Sequence, residues 1–153
     1  MEEEFHNHMR IPWHDYTRKS IGRPITEASL SEKASIIGRT GIMLLSCGTG
    51  AWRVRSSMNT LARELGITCT ADIGLLSIEY TCIDGGNCYT ESLCLFNTGV
   101  NTSKLYRMEL FVNKFSKNCK KMSGDELHTL LDQIHEIHGF YSPPFLGLAA
   151  AVA

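Results

Sequence analysis

The sequence lacks an excess of charge of either sign. Among its 153 residues, fifteen lysines and arginines stand against sixteen aspartates and glutamates, and no basic stripe is interleaved with aromatic side chains. Proteins that follow a nucleic-acid backbone concentrate positive charge on one surface. No nucleic-acid partner is therefore expected. The apolar share of 43% and the charged share of 20% are instead typical of a globular chain.

The first 25 residues also lack the apolar stretch that forms the centre of a secretory signal peptide. We therefore expect the chain to face a reducing compartment and its cysteines to carry free thiols. The six cysteines are Cys47, Cys69, Cys82, Cys88, Cys94 and Cys119. Residues 1–25 mix charge, histidine, proline and glycine without periodicity, which predicts a flexible tail.

Motifs of metal sites are missing as well. The cysteines show no Cys-x-x-Cys spacing, and no His-Glu-x-x-His motif occurs. Three histidines of the predicted tail, His6, His8 and His14, lack the fixed ligand set that a structural site needs. We therefore predict no metal and no cofactor.

One enzymatic alternative is a Cys-His hydrolase, in which Cys47 is the nucleophile and His128 or His135 is the base. No nucleophile-elbow motif accompanies Cys47. The residue follows an apolar Leu-Leu pair, a position that favours a buried structural thiol. The sequence therefore predicts no enzymatic activity.

Four helices are predicted from apolar periodicity and capping residues. Ser29 and Glu32 have capping-box spacing before the first helix, whose apolar face carries glycine notches. The second helix, 51–65, has one apolar stripe and ends at Gly66. A third begins near Asn101, and a fourth runs from Ser123 to Gly139.

Between the second and third helices the period changes from 3.6 to 2. Alternating segments flank the turn sequence 84–87, Asp-Gly-Gly-Asn, which predicts a β-hairpin. Residues 67–73 are predicted to add a third strand. Glu79 and Glu91 lie on neighbouring strands and are candidates to face each other, depending on the register. The fold class is thus α+β, with a small antiparallel sheet of about three strands packed against about four helices.

The last residues do not resemble the end of a globular domain. After Pro144, nine consecutive residues, 145–153, carry no polar side chain. A membrane-spanning helix needs about 20 such residues. We therefore predict that the domain of residues 26–140 leads into a truncated first transmembrane helix, of which residues 141–153 are the start.

The stretch from Gly41 to Ile67 resembles the opening signature of the threonine/serine exporter family. In that family, a helix ending in a double leucine and glycine is followed by a second helix with an Arg-Val pair, a methionine and a leucine-glycine ending. The hairpin, the later helices and the Tyr-Pro entry into an apolar helix occur in the same order. The resemblance covers about residues 30–153.

The resemblance implies the cytoplasmic N-terminal domain of a secondary exporter of threonine, serine or a dicarboxylate, located at the inner membrane. Its partners would be the membrane, through helices missing from this chain, and a small-molecule substrate, with a homo-oligomer as a possibility. The chain alone would not transport. Three residues match the family pattern as candidate contacts for substrate or partner: Trp52, Arg53 and Asp84.

A third class of function is a ligand-sensing or interaction module. The sheet face turned away from the helices carries Thr81, Thr90 and Ser92, which leaves that face mixed in polarity. A dimer through this face or through the sheet edge would be consistent with that composition. A thermal shift with threonine or serine would distinguish such a sensor from a plain transporter domain.

Overall fold

A computed structural model describes residues 11–96 and 98–137. In this range five α-helices and three β-strands follow one another along the chain. Their bounds are α1 Trp13–Tyr16, α2 Leu30–Ser46, α3 Ala51–Glu64, β1 Thr68–Ile73, β2 Ser77–Asp84, β3 Asn87–Cys94, α4 Thr102–Asn118 and α5 Gly124–His135. The α+β class and the three-stranded sheet are confirmed, and the short α1 is additional to the four predicted helices.

Helix boundaries follow the capping residues that the sequence offers. The Ser29 hydroxyl accepts from the Glu32 amide, and Ser123 and Glu126 form a reciprocal capping box at the start of α5. The Asn101 side chain caps α4 at 3.0 Å. Gly66 ends α3 with a φ of +72°, a conformation that glycine adopts without steric cost.

The sheet is antiparallel in the order β1-β2-β3. Its inner face carries Ile78, Tyr80 and Cys82 from β2, all buried. Register places Glu91 opposite Tyr80 on that inner face, whereas Glu79 pairs with Ser92 on the outer face. The expectation that Glu79 and Glu91 could face each other is therefore wrong, because a register that pairs Glu79 with Ser92 puts the two carboxylates on opposite faces.

Helix α2 is the centre of the domain. Every residue from Glu32 to Leu45 is buried, because α2 contacts the sheet on one side, α3 on another and α5 and α4 on the rest. Two glycines permit this close packing. A Cβ on Gly38 would lie 2.2 Å from the Tyr80 hydroxyl, and one on Gly41 would lie 2.5 Å from the Met58 sulfur. The sequence predicts one apolar face for this helix. In the structure the helix is buried on all sides.

The segment before α2 packs on the domain. Trp13, Thr17 and Ile25 are buried, and the Ile25 amide donates to the Met122 carbonyl at 2.9 Å. The flexible tail expected over residues 1–25 is therefore not what residues 11–25 form, because Trp13 and Ile25 supply apolar anchors that lack helical or strand periodicity. The predicted end of the last helix at Gly139 and the predicted transmembrane start, 141–153, lie outside the described residues.

The two ends of the domain differ in the chain segments that they contain. One end, here called the exit end, holds the α2–α3 turn, the β1–β2 turn, the β3–α4 connection and the last residues of α5. The other, the hairpin end, holds the β2–β3 turn, the end of α3 and the α4–α5 turn. The described chain leaves the domain at the exit end, where the Asn101 side chain donates to the Ile137 carbonyl at 3.3 Å.

Candidate functional site

Two of the three predicted contact residues lie together at the exit end. Trp52 and Arg53 occupy the first turn of α3, and the Arg53 guanidinium lies 5.7 Å from the Trp52 ring centroid. Arg53 also pairs with Glu109 of α4 at 2.8 Å, with both side chains roughly half exposed. Trp52 itself is 71% exposed. Arg53 therefore has a structural partner, while the ring of Trp52 faces outward.

Asp84 is not part of this pair. It ends β2 at the hairpin end, opposite Asn87, and it is exposed. Neighbouring Ile83 pairs with Thr68, which follows the end of α3. Because α3 has 14 residues, its length separates Asp84 from Trp52 by about 20 Å. The three predicted residues thus do not form one site.

The structure instead brings together a buried polar network that the sequence did not reveal. Arg39 of α2, whose side chain is 7% exposed, pairs with Asp132 of α5 at 2.5 Å. The same guanidinium donates to the His128 ring and to the His128 carbonyl, each at 3.1 Å, and lies over the Trp13 ring. This network joins α1, α2 and α5.

His14 closes the network on its outer side. Its Nδ1 lies 2.6 Å from Asp125 and its Nε2 lies 2.7 Å from Asp132. Burial lowers the pKa of His14, but hydrogen bonds and charge from Asp132 and Asp125 outweigh burial and raise the pKa overall. Both ring nitrogens donate at once only in the protonated imidazole, so the network favours charged His14.

His128 has the opposite electrostatic character. It is fully buried, and burial followed by repulsion from Arg39 lowers its pKa to about 3. Because Arg39 donates to Nδ1, the neutral ring carries its proton on Nε2, which faces the Ser35 hydroxyl at 3.0 Å. Ser35 in turn donates to the Glu32 carbonyl at 2.7 Å. His128 is therefore a hydrogen-bond donor to Ser35, and its geometry does not suit it to act as a base toward that hydroxyl.

The geometry of Cys47 does not support a hydrolase. Burial raises the pKa of the Cys47 thiol, whereas a nucleophilic cysteine needs a lowered one. The charged group next to Cys47 is Lys104, which is only 7% exposed and contacts the His135 ring at 3.2 Å. His128 is held by Arg39 and Ser35. The buried thiol predicted as the commoner outcome is what the structure contains, and all six cysteines are free.

Glu91 forms a second polar cluster at the edge strand β3. Its carboxylate accepts from the hydroxyls of Tyr16, Tyr80 and Tyr89 at 2.9 to 3.1 Å. Burial and the Glu91 charge raise the pKa of Tyr16 and of Tyr89. The cluster fixes the N-terminal segment to the sheet, since Tyr16 belongs to α1 and the other two tyrosines belong to β2 and β3.

A groove and a smaller cavity on the surface of the described domain are candidate binding sites. A groove of about 600 Å³ between α4 and α5 has an apolar floor that includes Phe111 and Ile134, with Arg107 and Lys114 on its rim. A second cavity of about 410 Å³ lies at the exit end, between the α2–α3 turn and Leu75. Within the described ranges, no group of three or more histidine, cysteine, aspartate or glutamate side chains is arranged to hold a metal ion.

Comparison with known families gives the assignment. The profile of ThrE, the threonine/serine exporter family, matches residues 35–153, which is more than three quarters of the chain. The chain belongs to the threonine/serine exporter family. No curated protein and no solved structure matches it.

Membership in the threonine/serine exporter family associates the chain with transport of a small molecule at a membrane. The family is one of transporters rather than of enzymes. No helix among the described residues has the length and apolar character needed to cross a bilayer.

Proposed function

We propose that residues 26–140 form the cytoplasmic N-terminal domain of a secondary exporter of threonine, serine or a dicarboxylate, and that residues 141–153 begin its first transmembrane helix. The observation that carries this proposal is the extent of the family match. It runs from residue 35, within α2, through the rest of the described domain and into the apolar run 145–153. In this proposal the domain and the membrane segment belong to one transporter.

The chain of 153 residues does not transport by itself in this proposal. Its longest run without a polar side chain at the C-terminal end is nine residues, and spanning the hydrocarbon layer takes about 20. We propose that the substrate path lies in membrane helices of the complete exporter. Trp52 and Arg53, at the exit end, are proposed to contact those helices or the substrate, while Asp84 at the hairpin end is proposed to contact a partner domain.

Export assays test the transport proposal. Cells that express the complete exporter are loaded with radiolabelled threonine or serine, and efflux is compared with that of cells expressing only residues 1–153. We expect faster efflux from the complete protein and background efflux from the fragment. Background efflux of threonine, serine and dicarboxylates alike from the complete protein would contradict the proposal.

Sidedness is tested with Cys88, which is the one exposed cysteine among the six of the described domain. A membrane-impermeant maleimide should label Cys88 in inside-out membrane vesicles and leave it unlabelled in right-side-out vesicles. Cys88→Ser provides the control for background labelling of half-buried Cys94. Labelling in right-side-out vesicles would place the domain on the other side of the membrane.

A ligand-sensing module is the second candidate, and the groove between α4 and α5 favours it. Its volume of about 600 Å³ is within the usual range of small-molecule sites, and Arg107 and Lys114 offer positive charge to a carboxylate. Threonine or serine should then raise the melting temperature, and Lys114→Met should abolish the rise. Lys121→Met, at the hairpin end, is the matched control.

A further inference from the structure

The exit end concentrates the exposed apolar side chains of the described domain. Seven large hydrophobic residues are exposed in the described ranges, and four of them lie in or next to the turns of this end. The four are Trp52 (71% exposed), Leu75 (84%), Phe96 (50%) and Val100 (74%). Of the other three, Tyr106 lies in the second turn of α4, and Ile21 and Ile83 lie toward the hairpin end. Single exposed hydrophobic residues are ordinary, whereas a group at one end marks an interaction surface.

The loops that carry these residues are joined to one another by direct contacts. A Cβ on Gly48, in the α2–α3 turn, would lie 3.5 Å from a Val100 methyl group. The Gly99 and Asn101 amides donate to the Ser46 and Cys47 carbonyls, each at 3.4 Å. These bonds hold the β3–α4 connection against the end of α2.

The β1–β2 turn adjoins the same surface. The second cavity is lined both by residues 48–51 of the α2–α3 turn and by Leu75 of the β1–β2 turn, and it also touches Thr98. The apolar side chains therefore project from adjacent turns of one surface. Loop tips that project separately suit insertion into a soft, deformable layer better than docking on a rigid protein face.

The types of the exposed residues and the position of the apolar run in the sequence indicate that this layer is the surface of a lipid bilayer. Tryptophan and tyrosine rings are favoured at the boundary between hydrocarbon and headgroups, and aliphatic side chains are favoured just below it. The chain also leaves this end at Ile137, and seven residues separate Ile137 from the apolar run that starts at Phe145. The apolar run thus follows in sequence, seven residues on, from the residue at which the described chain reaches the exit end.

We infer that the exit end is a membrane-docking surface, which inserts Trp52, Leu75, Phe96 and Val100 into the headgroup layer of the same bilayer that the apolar run enters. This inference rests on the proposed function, because that function supplies the bilayer. The domain then lies with its helices and strands upright on the membrane and its hairpin end pointing away. The domain is then attached to the membrane twice, through the polypeptide that connects it to the apolar run and through the contact of the exit end with lipid. Together these two attachments hold the domain more firmly than either one alone.

Trp52 provides the direct test, since the only other tryptophan, Trp13, is buried. The whole 153-residue chain is mixed with vesicles of phosphatidylcholine and phosphatidylglycerol that carry brominated acyl chains. The emission of Trp52 is taken as the difference between the unmodified chain and Trp52→Phe. We expect brominated lipid to quench most of this emission and the vesicles to protect it from iodide in the aqueous phase.

The vesicle affinity of single variants distinguishes the contribution of the exit end to membrane binding from that of the apolar run 145–153. Leu75→Ser, Phe96→Ser and Val100→Ser should each weaken vesicle binding by about tenfold, as expected for one apolar side chain withdrawn from the interface. Ile21→Ser and Ile83→Ser are matched controls toward the other end, and both should bind like the unmodified chain.

Three outcomes would contradict membrane docking of the exit end without contradicting the proposed transport function, which the efflux assay tests separately. Binding with Trp52 still open to iodide would mean that the apolar run alone attaches the chain. Absence of binding would exclude the surface altogether. Protection of Trp52 from iodide that rises with protein concentration in the absence of vesicles would identify a second copy of the chain as the occupant.

Discussion

Two regions of this domain depart from the usual distribution of residues, and they do so in opposite ways. Beneath α5, charged and polar side chains such as Arg39, His128 and Lys104 are buried. At the exit end, apolar side chains such as Trp52 and Leu75 are exposed. Globular proteins normally place these classes the other way round.

The difference lies in where each region finds its partners. Arg39 makes four contacts within the chain, to Asp132, to the ring and carbonyl of His128, and to the Trp13 ring. The network is thus satisfied by the domain itself and serves to join α1, α2 and α5. Leu75 and Val100, by contrast, stay exposed within the described domain. The comparison assigns stability to the buried network and interaction to the exit end.

Among the variants that test the difference between the buried network and the exit end, Arg39→Met should have the largest effect on stability. The change leaves Asp132 and the ring and carbonyl of His128 without their guanidinium partner, and we expect the free energy of unfolding to fall by about 3 kcal/mol. Urea denaturation measures the change. The matched control is Arg53→Met, which removes the half-exposed pair with Glu109 at the exit end and should cost less than about 1 kcal/mol. Equal losses would mean that the two regions do not differ in kind.

A second test adds one methyl group in the core and one at the exit end. Gly38→Ala places a Cβ 2.2 Å from the Tyr80 hydroxyl and should destabilise by about 2 kcal/mol, because Tyr80 has to move. Gly50→Ala meets only ordinary contacts with the Trp52 ring and should cost less than about 1 kcal/mol, chiefly because alanine is a poorer N-cap for α3 than glycine. Comparable melting temperatures for the two variants would contradict the close packing of α2 on the sheet.

The pH dependence of stability tests the electrostatics of the network. The pKa of His128 is lowered to about 3 in the folded chain, so below pH 6.5 the unfolded chain binds a proton that the folded chain does not. Stability should therefore fall by about 1 kcal/mol between pH 6.5 and pH 5.5. His135, whose pKa is also lowered, adds in the same direction. His128→Gln should flatten this slope in urea titrations at each pH.

His14 acts with the opposite sign. Its pKa is raised in the folded chain, so its contribution to stability is present below pH 6.5 and is lost as the pH rises through the raised value. His14→Gln should remove the decline on the alkaline side and leave the acid side unchanged. An alkaline decline that persists in His14→Gln would show that the pairing with Asp125 and Asp132 does not control it.

The smallest expected effect on stability belongs to the exit end. Leu75→Ser and Val100→Ser should change the free energy of unfolding by no more than about 0.5 kcal/mol, because both side chains are exposed in the folded domain. Thermal denaturation in the absence of lipid is the measurement. Losses above about 1 kcal/mol would indicate that these side chains pack within the domain and are not available for an external surface.

Local signals in the sequence predicted the secondary structure well. Capping by Ser29, Asn101 and Ser123, the left-handed Gly66 and the hairpin turn 84–87 all act within a few residues, so the chain itself specifies them. The stretch 41–67 also indicates the family, and the match to the family model confirms this prediction.

Long-range packing could not be predicted in the same way. The network of Arg39 and His128 joins residues 89 positions apart, and Arg39 resembles an ordinary surface arginine until α5 is seen to cover it. His14 falls in the predicted flexible tail because the four residues of α1 are too few to show periodicity. Trp13 and Ile25, the apolar side chains that anchor this segment, lie too far apart in sequence to form a helical or strand pattern.

The most direct test of the account compares two thiols at opposite ends of the domain. Leu75→Cys at the exit end and native Cys88 near the hairpin turn are labelled with an impermeant maleimide in inside-out vesicles that contain the complete exporter. The account predicts rapid labelling of Cys88 and slow labelling at position 75 that becomes rapid in detergent. Equally rapid labelling at both positions before detergent would show that the exit end does not face the bilayer.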